Sequence, residues 1–414
     1  MQRRLAHLWL SAVAALLAVA CDQGTTTKSG PVTSIKVVIA DYSKDHTRPF
    51  WQSLSETYTK QTGIKVELQV VDWNSIDQQV TTMIQNNQPP DVLNLNAFSS
   101  YAKDGLLHPA DEVLSPRTRE DFLPAFVRGG EYQGKLYGFP ILSSARAFFY
   151  NKDLLARAEV AAPPRTWDEL VTAARKVRAL GPDTIGYALP LGPEEAQAEW
   201  AIWMWNNGGD WKSGDAWAIN SDKNVHTLTF LADLANKHKV TQVNPGKTNR
   251  TDGAFQLFKD GKVAMVMGFS PLARQLDAEG KVKYGVAEMP TNIGAAVTLA
   301  VEDYLMAFKK AGNADAVRTF LDLYYQPETI TRWIRAEGFL PVTRSGLEQM
   351  RSDAGLKPYL DALPGAKLAP TTDPAWDKVK LDVQQSIGLA VQPGGNPRQV
   401  LDRLQQNAVA AGGR

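Results

Sequence analysis

Apolar residues change their spacing repeatedly along the chain, and each change marks an element. Ile35 to Ala40 is a compact β-branched run that predicts a buried strand. Trp51, Leu54 and Tyr58 then recur at helical spacing, and Gly63 ends that helix. From Ile64 to Val70 apolar and polar residues alternate strictly, the pattern of a half-exposed strand. Ile76, Val80, Met83 and Ile84 share one face of a second helix; Pro89 and Pro90 close it and introduce a strand from Asp91 to Leu95. Farther on, Thr166-Trp-Asp-Glu169 is a capping box, in which hydroxyl and carboxylate each satisfy an orphan backbone N–H. Leu170, Ala173, Ala174 and Val177 supply that helix's apolar face, and Val317, Phe320, Leu321 and Tyr324 mark a late one. Strands alternating with helices predict an α/β fold with a mostly parallel sheet.

The chain of 414 residues exceeds what one hydrophobic core usually organises, so two lobes are expected. Charge adds an exclusion. Of 45 Lys and Arg, Arg3 and Arg4 lie in the leader, leaving 43 against 44 Asp and Glu. So even a balance gives no electrostatic reason to expect nucleic acid or an anionic membrane surface as partner.

The leader itself is a specific signal. Arg3 and Arg4 precede an apolar run from Leu8 to Ala20, shorter than the roughly 20 residues that span a bilayer, which fits an export signal. The run ends in Leu17-Ala18-Val19-Ala20-Cys21, which resembles a bacterial lipobox with Ala18 in place of the more usual Leu. Cys21 is the only cysteine, so no disulfide forms within the chain, and the residue reads as the diacylglyceryl attachment point. Residues 1–21 are thus signal peptide and lipidated cysteine. Residues 22–31 are polar, aperiodic and tether-like, with a reach of roughly 30 Å when extended. The lipid anchor is the sole membrane contact expected.

Seven short segments, in order, resemble the extracellular solute-binding proteins of bacteria that include the maltose-binding proteins. They are Gln88-Pro-Pro-Asp-Val92, Tyr101-Ala-Lys-Asp-Gly-Leu-Leu107, Gly134-Lys-Leu-Tyr-Gly-Phe-Pro140, Phe149-Tyr-Asn-Lys-Asp-Leu154, Pro163-Pro-Arg-Thr-Trp-Asp-Glu-Leu170, Phe258-Lys-Asp-Gly-Lys-Val-Ala-Met265 and Gly338-Phe-Leu-Pro341. The resemblance implies a two-lobed periplasmic-binding-protein fold, type II-like, with discontinuous lobes and a hinge. By that analogy residues 32–142 and 289–326 form the first lobe, and residues 143–288 and 327–414 the second. It implies further an extracytoplasmic, monomeric receptor. Such a receptor closes on a sugar by hinge motion and delivers it unaltered to the permease of an ABC importer. No cofactor and no catalytic residue is implied.

Sugars present hydroxyl edges and weakly apolar faces, so their sites need aromatic platforms and planar hydrogen-bonding groups. Five of the 11 tryptophans fall between Trp200 and Trp217, interleaved with Asn206-Asn-Gly-Gly-Asp210. Trp200 reads as core; Trp203, Trp205, Asp210 and Trp211 are candidate cleft residues. Open α/β sheets bind ligands at strand C-termini. That rule selects Asp41 and Tyr42, then Asp72 and Trp73, then Asn94 and Asn96, although turn chemistry alone also favours Asp and Asn there. Glu302 and Asp303 interrupt an apolar strand pattern, which is costly without partners, so they are candidate acceptors for sugar hydroxyls, with pairing to Arg146 or a Lys as the alternative. The resemblance places a stacking aromatic at Trp376. It places Ser144 where the family has a ligand-contacting acid, with Arg146 as a nearby donor, and Phe269 near a Trp that this chain lacks.

Other chemistries find little footing. The five histidines form no metal-binding pattern, and Pro245-Gly-Lys-Thr248 has Thr241 where a phosphate loop needs its first glycine. Glu194 and Glu195, as neighbours on a helix, are expected to point apart into solvent. The alternatives are a receptor for a polyol or glycerol-phosphate-type solute, and an exported glycoside hydrolase. A phosphate would ask for clustered Arg or Lys, which the sequence does not display, and a hydrolase for two carboxylates about 5–10 Å apart.

Overall fold

The computed structural model describes residues 31–363 and 366–412, so the leader and Cys21 lie outside the described residues. Its first half follows the periodicities closely. The elements are β1 (Ser34–Ala40), α1 (Thr47–Thr62), β2 (Lys65–Val71), α2 (Ile76–Gln85) and β3 (Val92–Leu95). Gly63 ends α1 in the left-handed region, φ 75°, donating its N–H to the Thr59 carbonyl. The Gly134 hairpin turns through Gln133 and Gly134, both at positive φ, as a tight two-residue turn requires.

The later strands are β4 (Phe139–Asn151), β5 (Ile185–Ala188), β6 (Val263–Phe269), β7 (Tyr284–Ala287) and β8 (Ala300–Ala307). The main sheet runs β2-β1-β3-β8-β4-β6-β5, with β7 also on β4. Only the pairings of β1 with β2, β1 with β3 and β5 with β6 are parallel; the other four are antiparallel. The expectation of a mostly parallel sheet is corrected by β4 and β8, which run against all their neighbours.

These two strands join the lobes. β4 pairs with β8 through Phe139–Ala145, then with β6 from Arg146 onward and with β7 through its last residues. β8 holds β4 along one edge and β3 along the other, and its register slips between Asp303 and Tyr304. Each crossing strand therefore carries charge where its partners change: Arg146 on β4, Glu302 and Asp303 on β8.

Two aromatic cores flank the crossing. On the first-lobe side, Trp51 stacks on Tyr324 at 5.0 Å and meets Trp333 edge-on at 5.6 Å. Trp333 belongs to residues 327–363, which the resemblance assigned to the second lobe. That stretch also joins the first through Thr343, bridged to Phe122, and through Glu337, which accepts the Thr47 hydroxyl hydrogen bond at 2.6 Å. On the second-lobe side, α3 (Trp167–Arg178) starts at Thr166, whose hydroxyl accepts the Glu169 N–H; Glu169 reaches back to the Arg165 N–H, one residue before the expected partner. Helix α4 (Ala196–Trp205) is buried on every side, as a central helix must be.

Candidate functional site

Where β4 changes partners, Arg146 lays its guanidinium over the Phe269 ring, 4.2 Å from the centroid. Arg250 approaches the same ring at 4.9 Å. Sequence reasoning missed Arg250, which sits on a π-helical turn (Arg250–Phe255), a rare geometry associated with functional positions. Glu194 fastens that turn. Its carboxylate accepts from the Thr251 N–H at 2.9 Å, the Thr251 hydroxyl at 2.5 Å and Arg250 Nη2 at 3.2 Å. Gly192 lets the two loops meet, since a Cβ there would sit 2.7 Å from the Thr248 carbonyl. Glu195 pairs with Arg146 Nη2 at 2.5 Å and with Arg250 Nη1.

The expectation that Glu194 and Glu195 lie in solvent is thus overturned. Glu194 is 6% exposed. Glu195 has φ −150° and ψ 35°, ahead of the helical turn, so the divergence of adjacent helical residues does not apply. Burial pushes both guanidinium pKa values down to about 10, opposed by Asp303 and Glu199 for Arg146 and by Glu194 for Arg250; both stay charged at neutral pH.

Asp303 faces this cluster from β8. Burial pushes its carboxyl up to about 6, against the Tyr42 hydrogen bond and the Arg146 charge. The Tyr42 hydroxyl lies 2.9 Å from Asp303 Oδ2 and 3.0 Å from Asn94 Oδ1. One hydroxyl has one proton to give. The Tyr42 hydroxyl therefore serves one of the two at a time, and below about pH 6 a protonated Asp303 donates to Tyr42 while Tyr42 donates to Asn94. Asn94 is also the tie between strands, accepting from the Ala40 N–H and donating to the Tyr304 carbonyl. From Tyr42 an aromatic arm runs edge-on to Trp73 at 5.4 Å and to Phe339 at 5.2 Å, and Phe339 stacks on Phe269 at 6.1 Å. Asp41, at the end of β1, has its carboxyl raised by burial and one oxygen without a partner.

Between the lobes is a cavity of about 40 Å³ bounded by Asn96, Glu195, Trp211, Glu302, Trp376 and Lys380. It holds a few waters at most and is too small for a sugar ring. Lys380, on α5 (Trp376–Ser386), closes it by donating to Asp77 and Asn96 of the first lobe, each at 3.1 Å. Trp376 and Trp211 meet edge-to-face at 4.9 Å on its wall. Glu302 accepts from the Tyr304 hydroxyl at 2.8 Å, and burial pushes its carboxyl up to about 8. A larger groove of about 970 Å³ lies between the Glu159–Arg165 loop and the Ala287–Ala296 stretch and contains none of these groups.

The structure therefore brings together Tyr42, Trp73, Asn94, Arg146, Phe269 and Asp303 at one end of the crossing, and Asn96, Trp211, Glu302 and Trp376 at the other. It does not bring in the remaining candidates. Trp203 points into the second-lobe core, donating to Glu199 and packing on Tyr187. Trp205 donates to Asp210, whose other oxygen holds Lys367 at 2.7 Å. Ser144 is buried in the ladder opposite Val301. Arg250, Glu194, Glu195 and Lys380, none of them a candidate from the sequence, stand in the site instead.

Comparison with known proteins agrees with this architecture. The sequence model of a family described as bacterial extracellular solute-binding protein matches residues 43–330. A putative binding protein of Brucella abortus (strain 2308) is 29% identical over 382 residues, covering 90% of this chain and 92% of that one. The sn-glycerol-3-phosphate-binding periplasmic protein UgpB of the same strain is 27% identical over 295 residues, 64% of this chain and 65% of its own. Among solved structures, an ABC transporter solute-binding protein from Thermotoga lettingae TMO bound with alpha-D-tagatose superposes with a TM-score of 0.79 at 20% identity, covering 92% of this chain and 99% of that one.

Proposed function

We propose, from the premise that this chain belongs to the bacterial extracellular solute-binding proteins, that it captures a sugar between its two lobes for an ABC importer and releases it unaltered. One observation carries the reading. At the crossing, Arg146 Nε and Nη1 and Asp303 Oδ1 are buried without hydrogen-bond partners, Arg146 over the face of Phe269 and Asp303 at the Tyr42 hydroxyl. Unpaired donors and acceptors in a dry site cost free energy that a polyhydroxylated guest recovers. Tagatose in the Thermotoga lettingae protein is consistent with such a guest. The UgpB relative supports a second reading, a glycerol-phosphate-type solute, to which the Arg146 and Arg250 pair lends weight.

As moving bodies we take residues 32–142 and 289–326 against residues 143–288 and 366–412, with residues 327–363 carried by the first. Cys21 anchors the mature, monomeric protein to the membrane outside the cytoplasm. A thermal-shift screen of mono-, di- and trisaccharides, polyols and glycerol 3-phosphate tests the ligand class. A sugar that raises the midpoint without being cleaved supports the receptor; released hydrolysis products refute it. Cys21→Ala should move the protein from the membrane to the soluble fraction, and retention on membranes would refute the anchor.

A further inference from the structure

Glu195 places its own carboxylate between two guanidiniums, meeting Arg146 and Arg250 beside the Phe269 ring that both approach. It is the member of the cluster that reaches the cavity, and its side chain is 16% exposed where those of Arg146 and Arg250 are 2% and 11%. No side-chain capping bond ties it to α4. Glu194, by contrast, is fixed by three hydrogen bonds and stays with Arg250. Arg146 still has Nε and Nη1 buried without acceptors, and Arg250 has Nε. A guanidinium presents a planar fork that holds a carboxylate by two parallel bonds, and Glu195 engages only one nitrogen of Arg146.

We propose that the ligand is a hydroxylated carboxylate, a sugar acid, whose carboxylate takes the place of Glu195 between Arg146 and Arg250 while its hydroxyls meet Asp303 Oδ1. This rests on the sugar reading above. Charge decides it. Exchanging one carboxylate for another leaves the pair of guanidiniums as neutralised as before. A neutral sugar that displaced Glu195 would leave Glu194 with Arg250 and the buried Arg146 with no salt-bridge partner among the described residues. Glu195, at the cavity wall, rehydrates as it swings out. A tetrahedral phosphate fits the slot less well than the planar group already seated there.

Titration calorimetry on the full-length mature protein tests this with matched pairs: D-glucuronate against D-glucose, D-galacturonate against D-galactose, and D-gluconate against D-glucitol, with glycerol 3-phosphate as the tetrahedral anion. At least one acid should bind about tenfold tighter than its neutral partner and than glycerol 3-phosphate. Glu195→Gln, which removes the internal competitor, should tighten the acids further and leave the neutral sugars without gain. Neutral partners binding as tightly as the acids throughout overturn the proposal and leave the sugar reading standing. Glycerol 3-phosphate binding tightest, or weaker acid binding by a folded Glu195→Gln variant, also overturns it. If no sugar or acid binds, the sugar reading itself fails. Should the variant not fold, the wild-type pairs decide alone.

Discussion

Replacing Glu302 with Gln tests how strongly the crossing point penalises charge. Glu302 is 4% exposed, one oxygen engaged by Tyr304 and crowded by the backbone at Gly129. Among the described residues no basic side chain pairs with it. Burial lifts its carboxyl from an ordinary 4.5 to about 8. The folded protein therefore holds this proton more tightly than the unfolded chain does. The stability that this holding confers is complete at acid pH and is lost as pH rises from 4.5 to about 8. At about 1.4 kcal/mol per pH unit, the whole span is worth up to about 5 kcal/mol. Gln keeps the acceptor for Tyr304 and has no proton to surrender. Urea unfolding of both proteins at steps between about pH 5 and 9 isolates the effect, because other titrations cancel in the difference. The variant's advantage should climb with pH and level off above about 8. A flat difference, or a wild type that gains on the variant as pH rises, would show that a cation and not burial governs Glu302.

Three further outcomes are expected. Asp303→Asn should gain on the wild type between an ordinary 3.8 and about 6 and then hold a constant advantage, since burial raises this carboxyl too; the same urea series checks it, and the variant should bind sugar more weakly because it loses a charged acceptor. Lys380→Met removes the amine that spans from α5 to Asp77 and Asn96, so small-angle scattering of the ligand-free protein should give a larger radius of gyration; an unchanged radius means other contacts keep the lobes shut. Trp333→Ala empties a space bounded by Trp51, Phe50 and Tyr324 and should cost about 3–5 kcal/mol by urea unfolding, an effect that Trp333→Phe should largely spare.

The elements from β1 to β3 could be read within a residue or two because each depends on a local period of apolar residues, and Gly63 stops α1 by backbone geometry that the residue type alone announces. Trp203 shows where that legibility ends. Helix α4 is buried on every side, so it has no polar face to say which tryptophan turns toward a cleft. Arg250 gave no warning either, because its value comes from Phe269 and Glu195, brought beside it only by tertiary structure. Glu194 and Glu195 were misjudged through a helical rule applied one residue too early. Glu302 and Asp303 were identifiable because acids inside an apolar strand are expensive anywhere, whatever the fold around them.

That expense explains why charge sits at the strand crossing. Arg146 and Asp303 lie on the two strands that pass between the lobes, and the groups covering them come from both sides: Tyr42 and Asn94 from the first, Phe269 and Arg250 from the second. Parting the lobes lets water reach these groups, whereas closing them without a guest withdraws that water and leaves Arg146 Nε, Arg146 Nη1 and Asp303 Oδ1 unpaired. A guest that supplies the missing bonds offsets the desolvation and so acts on the closed state more strongly than on the open one. Differential interaction of this kind is what lets a ligand shift a conformational equilibrium. Apolar residues at the same positions would close as readily empty as loaded, and the receptor would no longer report its cargo by its shape.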